Sequence, residues 1–276
     1  MQQVAKEILL RARKDVFSGN LGNHLTTFKG DGLDFREIRD YEYGDDIRKI
    51  NYKATAKGGG LKTNVFNEER ELNILLVLML NGSMHFGSVK LKQEISAEIL
   101  TLLAFSALKD DNRLQGLFFS DKDDRYFKPS KSESIIYEML ESSLEVDMLK
   151  KESDFKKLSD YINSVIKRKS LIFIVSDFYG EVDLSEIAHK NEVYALIVRD
   201  RFEEYPLLNG EFELVDPASF ETSKLTLNKE IAGEYKKLIE AHDLKLKEHF
   251  LEHKIKFGKL YTDEDIYLRL TEIIKD

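Results

Sequence analysis

From residue 73 onward, short unbroken apolar runs alternate with longer stretches in which apolar residues return at the spacing of one helix face. NILLVLML at 73–80, RLQGLFFS at 113–120, SLIFIVSD at 170–177 and VYALIV at 193–198 read as strands. Runs this apolar belong to strands covered on both faces. The intervening segments 90–109, 132–144, 155–167 and 184–189 read as helices, the first through Ile95, Ile99, Leu102, Leu103, Phe105 and Ala107. Strand and helix in strict alternation predict βαβ units, and hence an α/β fold with a doubly wound, mainly parallel sheet. Ligands of such sheets bind beyond the carboxyl ends of the strands.

The flanks follow other patterns. Residues 1–20 form an amphipathic helix (Val4, Ile8, Leu9, Ala12, Val16) that stops at Ser18-Gly19-Asn20. Residues up to about 70 are punctuated by glycine and charge and read as irregular with some β-structure. After the last strand, EFELVDP at 211–217 and KLTL at 224–227 suit a hairpin. Residues 229–257 read as one long amphipathic helix, and Thr262-Asp263 as the N-cap of a final one. The expected organisation is an N-terminal extension, 1–70, and a main domain, 71–276, with a C-terminal hairpin and helices.

Charge narrows the partners. With 42 Lys and Arg against 50 Asp and Glu, the formal net charge of -8 opposes a nucleic-acid backbone. The basic run Lys167-Arg168-Lys169 reads as a solvated helix end and makes no basic face. Zero cysteines remove disulfides, thiolate metal sites and a cysteine nucleophile, and fit a reducing cytoplasm. MQQVAKEILLRARKDV mixes charge into its apolar positions and does not read as a signal peptide. The longest apolar run, 74–80, is far short of the ~20 residues of a spanning helix. A cytoplasmic protein without direct membrane insertion is expected.

Candidate chemistry gathers at two strand ends. Asn81 and Ser83 follow the first strand, and Asp177 follows SLIFIV. Side by side, these residues would place an amide, a hydroxyl and a carboxylate in one crevice, oxygen donors that suit a hard cation such as magnesium. Equally, the same residue types cap helices and turns.

Residues 30–70 carry a distinctive run: Gly30, Gly32, Asp34-Phe35, Arg39-Asp40-Tyr41, Gly44-Asp45-Asp46-Ile47-Arg48, Ile50-Asn51-Tyr52, Lys53-Ala54 and Glu68-Glu69-Arg70. It resembles the signature of the domain-of-unknown-function family 58, whose members carry a von Willebrand factor A-like domain. The order continues through SMHFGS at 83–88, Lys92 and SDF at 176–178, so the resemblance covers about residues 20–200. It implies a sheet of von Willebrand factor A type, and a non-catalytic adaptor that works with a MoxR-type AAA+ ATPase to assemble or mature an unknown target protein. Family members often carry an Asp-x-Ser-x-Ser metal-ion-dependent adhesion motif. Here Met79, Asn81 and Ser83 stand in its places, so the motif is degenerate. Ser83 and Asp177 remain as metal ligands, and magnesium, usually held through one or two carboxylates, is expected to bind weakly or not at all. Ser130 and Ser132 are the candidates for the third, hydroxyl-bearing loop. Asn81, Ser83 and Asp177 are then expected to meet a partner directly, with Asp177 taking its basic group.

Within the signature, Arg39, Asp45, Asp46 and Arg48 are expected to pair and order a loop, or else to form a recognition surface with Tyr41 and Gly44. A rival reading rests on His249-Phe250-Leu251-Glu252-His253, which matches the H-x-x-E-H pattern of inverted zinc peptidases. A metal-dependent hydrolase would use His249, Glu252 and His253. A helix face rich in Lys and Glu explains the same residues without chemistry. Lone His24, His85 and His189 read as surface or loop residues. A third reading is a structural subunit of a membrane-linked assembly.

Overall fold

The structure, a computed structural model, describes residues 2–18, 34–67, 71–122, 124–206, 208–217 and 219–275. Two compact units divide the chain, one of residues 1–27 with 73–276 and one of residues 28–72. The larger unit opens with α1 (Gln2–Ser18). Its Ile8 packs with Ala97 and Leu140, so the first helix belongs with the main domain and not with the signature that follows it.

The smaller unit is an antiparallel hairpin of β1 (Asp34–Asp40) and β2 (Lys62–Asn67), with the single-turn α2 (Tyr52–Thr55) in its connection. Side chains order that connection: Asp46 accepts from Arg48 N and caps the 3-10 turn Ile47–Lys49, and Asn51 accepts from Ala54 N and caps α2. His24 and the signature residues Gly30, Gly32 and Glu68-Glu69-Arg70 lie outside the described residues.

The larger unit continues with β3 (Asn73–Met79), α3 (Lys92–Lys109), β4 (Arg113–Phe119), β5 (Asp124–Ser130), α4 (Ser134–Glu145), α5 (Phe155–Val165), β6 (Leu171–Ser176), α6 (Ser185–Lys190), β7 (Glu192–Arg199), α7 (Arg201–Glu204), β8 (Gly210–Val215), β9 (Thr222–Leu227), α8 (Lys229–Glu252), β10 (Lys256–Tyr261) and α9 (Ile266–Lys275). Six of these strands form one sheet in the order β10-β7-β6-β3-β4-β5. All neighbours are parallel except β4 and β5. The doubly wound, mainly parallel sheet expected from the alternation is the sheet the chain forms. The β8–β9 hairpin stands as a separate two-stranded sheet.

Both faces are covered, which explains the unbroken apolar strands. Leu75, Val77 and Met79 of β3 join Ile172, Ile174, Phe155, Leu158, Leu246 and Phe250 in one core under α5, α6 and α8. The alternate residues Ile74, Leu76 and Leu78 are equally buried and point to the opposite face by the period of the strand.

Three expectations change. The long helix ends at Glu252, not near 257, because Lys254 turns left-handed at φ +56° and the chain re-enters the sheet as β10. That edge strand requires a glycine: a Cβ on Gly258 would lie 2.4 Å from Ile273 Cγ1 of α9. Thr262 is not an N-cap, since α9 starts at Ile266 and Asp265 accepts from Leu268 N at 3.1 Å. Thr262 is buried instead, with its hydroxyl on Asp200. The third change is the edge strand β5, which neither its mostly exposed residues nor Pro129 mark as a strand.

Candidate functional site

Strand order reverses between β3 and β6, the switch point at which doubly wound sheets open a crevice. Asn81 and Ser83 leave β3 there, and Asp177 leaves β6. The three meet. Asn81 Nδ2 donates to Asp177 Oδ1 at 3.2 Å and to Ser153 Oγ at 2.8 Å, while its Oδ1 caps the 3-10 turn Gly82–His85 by accepting from Met84 N. The single hydroxyl proton of Ser83 sits between Asp177 Oδ2 and Asn81 Oδ1. The capping role and the convergence, which stood as alternatives in the sequence, are therefore both present.

A residue that the sequence marks only as one position of the family resemblance completes the group. Lys92, the first residue of α3, extends its ammonium to Asp177 Oδ2 at 3.0 Å and to both Glu203 carboxylate oxygens at 2.8 Å. The side chains of Lys92 and Asp177 are 0% exposed. A cation in the first turn of a helix opposes the macrodipole, so the position is held by its two carboxylates and not by helix preference. Burial pushes the Glu203 carboxyl above its ordinary value, against the pull of the Lys92 ammonium. Phe178, next to Asp177, takes a left-handed φ of +52° and packs against Phe155 and Phe250. The apolar core thereby fixes the turn that carries the carboxylate.

Asp177 is consequently not an open carboxylate awaiting a partner's basic group; the chain's own lysine fills that place. Nor do these residues fit a divalent cation as they stand. Ser83 Oγ, Asn81 Oδ1 and Asp177 Oδ2 are committed to one another, and an ammonium lies within 3.0 Å. Met79, in the place of the motif aspartate, is fully buried among core side chains and points no donor anywhere. Ser130 and Ser132 do not form the third loop. Ser130 pairs with Leu114 at the start of β4, the edge opposite the crevice, and Ser132 Oγ accepts from Ser134 N.

Neighbouring strand ends repeat the theme of buried polar groups. Asp200, after β7, is fully buried and receives Ser88 N at 2.8 Å, Thr262 Oγ1 at 2.5 Å and Phe202 N at 2.9 Å. Burial raises its carboxyl, but these hydrogen bonds outweigh burial and hold it below its usual value. The clasp pins the loop after Gly82–His85, so the crevice rim is fixed from two strands. On that rim Phe86 is 37% and Val89 67% exposed.

In the signature hairpin, Arg39 Nη2 meets Asp45 Oδ1 at 2.7 Å, Tyr41 Oη donates to the Asp45 carbonyl, and Gly44 turns the chain at φ +107°. The Glu42 backbone N–H and then the Arg39 guanidinium hold Asp45 below its ordinary range. Asp46 is a cap, and it forms no ion pair among the described residues. Arg48 is exposed and its side chain pairs with none of the described residues, so the expected four-residue pairing reduces to Arg39 with Asp45.

The H-x-x-E-H helix is α8. His249 and His253 rings lie 4.7 Å apart, but His249 Nε2 accepts the Leu184 backbone N–H at 3.1 Å. Burial, then His253, lowers its pKa, in keeping with a neutral structural histidine. Among the described residues, no group of three His, Asp or Glu is arranged to hold a metal ion.

A family model described as protein of unknown function DUF58 matches residues 37–245. The chain belongs to this family. Uncharacterized proteins of Mycobacterium tuberculosis and Mycobacterium bovis are each 24% identical to it over 229 residues, covering 80% of this chain and 72% of the relative. Among solved structures, the conserved hypothetical protein BatB from Bacteroides thetaiotaomicron aligns with a TM-score of 0.47 at 12% identity, over 74% of this chain and 97% of its own. An aerotolerance-related membrane protein from Bacteroides fragilis aligns with a TM-score of 0.44 at 10% identity, over 73% and 96%. Among the described residues of this DUF58 chain, no helix is long and apolar enough to cross a membrane.

Proposed function

We propose that this DUF58 chain is a non-catalytic cytoplasmic adaptor of von Willebrand factor A type, working with a MoxR-type AAA+ ATPase in the assembly or maturation of a target complex. In this pairing the ATPase performs the work and the adaptor recognises the target. One observation supports the reading above the others: at the sheet's switch point the Lys92 ammonium and the Asp177 carboxylate are paired and sealed from solvent, and the partly buried Glu203 also holds the ammonium. A hydrolytic site needs an accessible nucleophile, base or metal-bound water. A docking site needs a rigid rim, and here Phe86 and Val89 stand exposed on a loop clasped by Asp200.

The test pairs the purified chain with a purified MoxR-type ATPase, with and without a slowly hydrolysed ATP analogue. Capture that depends on nucleotide is expected, and Val89→Glu, which adds a charge to an exposed position, should abolish it while the melting curve stays unchanged. No capture in any nucleotide state rejects the ATPase pairing. Capture that survives Val89→Glu moves the docking surface off the strand ends, and the signature loop from Tyr41 to Arg48 becomes the next surface to alter.

A further inference from the structure

We infer that Lys92 is the built-in cation of the crevice: its ammonium stands in the place of a divalent metal, and removing it converts the crevice into a cation-binding site. The inference takes the crevice as the docking site of the reading above, but its test follows ion binding alone, so either can fail without the other.

The oxygens around Lys92 Nζ make the case. Asp177 Oδ2 lies at 3.0 Å, and Glu203 offers both carboxylate oxygens at 2.8 Å, the bidentate presentation of a calcium ligand. Ser83 Oγ and Asn81 Oδ1 border the same Asp177 oxygen. Asp177 and Glu203 both face the Lys92 ammonium, and the only other cation acting on Glu203 among its main influences is the buried Arg199 guanidinium, so removing the lysine leaves the two carboxylates without the charge that lies directly between them. Buried carboxylates that close repel each other unless a proton or a cation intervenes. The chain satisfies this demand covalently, through an α3 residue, where metal-dependent sites do so with an ion drawn from solution. Docking at this edge is therefore independent of metal concentration, because the cation cannot dissociate.

Geometry also ranks the ions. Calcium takes oxygens at ~2.3–2.6 Å and magnesium at ~2.0–2.1 Å. Contracting the shell from the ammonium distances is thus a smaller movement for calcium, and waters can enter the space vacated by the lysine stem to complete six or more ligands.

Lys92→Ala, and Lys92→Met, which keeps most of the stem, are melted with and without calcium, manganese and magnesium, beside wild type. At an ion concentration about a hundredfold above its Kd, the variants should melt roughly 5 °C higher than without ion. Calcium should act at lower concentration than magnesium, and wild type should not respond. Adding Asp177→Asn to either variant should remove the response. If neither variant folds without ion, folding recovered by calcium supports the inference. A folded variant indifferent to all three ions overturns it, as do variants that stay unfolded with calcium, or a wild type that responds as strongly as the variants.

Discussion

Replacing Asp177 by alanine removes the carboxylate that receives Asn81, Ser83 and Lys92, three donors from two different segments. Both members of the Lys92–Asp177 pair are 0% exposed, so water cannot take the place of the lost acceptor. Taking one partner from a buried ion pair costs ~3–5 kcal/mol, because the other charge is left in a medium that does not solvate it. Glu203 still holds the ammonium at 2.8 Å, which places the expected loss near the lower end, ~3 kcal/mol. For a domain of this size that lowers Tm by roughly 6–12 °C. Asp263→Ala is the control. It breaks only the exposed pair with Arg201, whose side chains are 41% and 54% exposed, and such pairs contribute ~0–1 kcal/mol. Thermal melts and urea titrations of both variants measure the difference. Lys92→Met combined with Asp177→Leu should lose less than the sum of the single losses, with a coupling of ~0.5–3 kcal/mol. An Asp177→Ala variant that melts within about 2 °C of wild type would falsify the claim that this pair is buried and structurally required.

The remaining predictions concern other parts of the molecule. Gly258→Val should destabilise by ~1–3 kcal/mol through overpacking, because even a Cβ would lie 2.4 Å from Ile273, and Ile273→Ala in the same chain should recover part of the loss in urea titrations. Asp200 has its native carboxyl held below the ordinary value near 3.8, so its contribution is present above that pH and is lost as pH falls through the lower native value. Asp200→Asn should therefore flatten the stability profile on the acid side, and a profile as steep as wild type below pH ~4 would refute the role. In the signature, Asp45→Ala should loosen the connection between β1 and β2, read as faster amide exchange at Glu42 to Ile50, whereas Arg48→Ala should leave exchange unchanged because the exposed Arg48 side chain pairs with none of the described residues.

Asp177, expected to meet a partner's basic group, is instead buried against the chain's own Lys92, and this shows where sequence reading stops. Apolar runs at 73–80, 113–120, 170–177 and 193–198 determine four central strands, since a strand covered on both faces has no polar choice to make. Helices between them determine the parallel winding, and winding determines that Asn81 and Asp177 end neighbouring strands. Local signals also carry the signature, whose caps at Asp46 and Asn51 act within three residues of themselves. What only the tertiary structure decided is which distant charges become partners. Lys92 and Glu203 are separated by 111 residues, and Lys92 and Asp177 by 85, and nothing in the segments of Lys92 and Glu203 points to the strand end at Asp177. β10 escaped because its alternation of polar and apolar residues follows directly on a helix pattern, and only pairing with β7 makes it a strand. Periodicity records whether a position faces the core or the solvent, a property of one segment. Ion pairing in a crevice depends on where several segments end in space, and a lysine that closes such a site leaves no periodic trace.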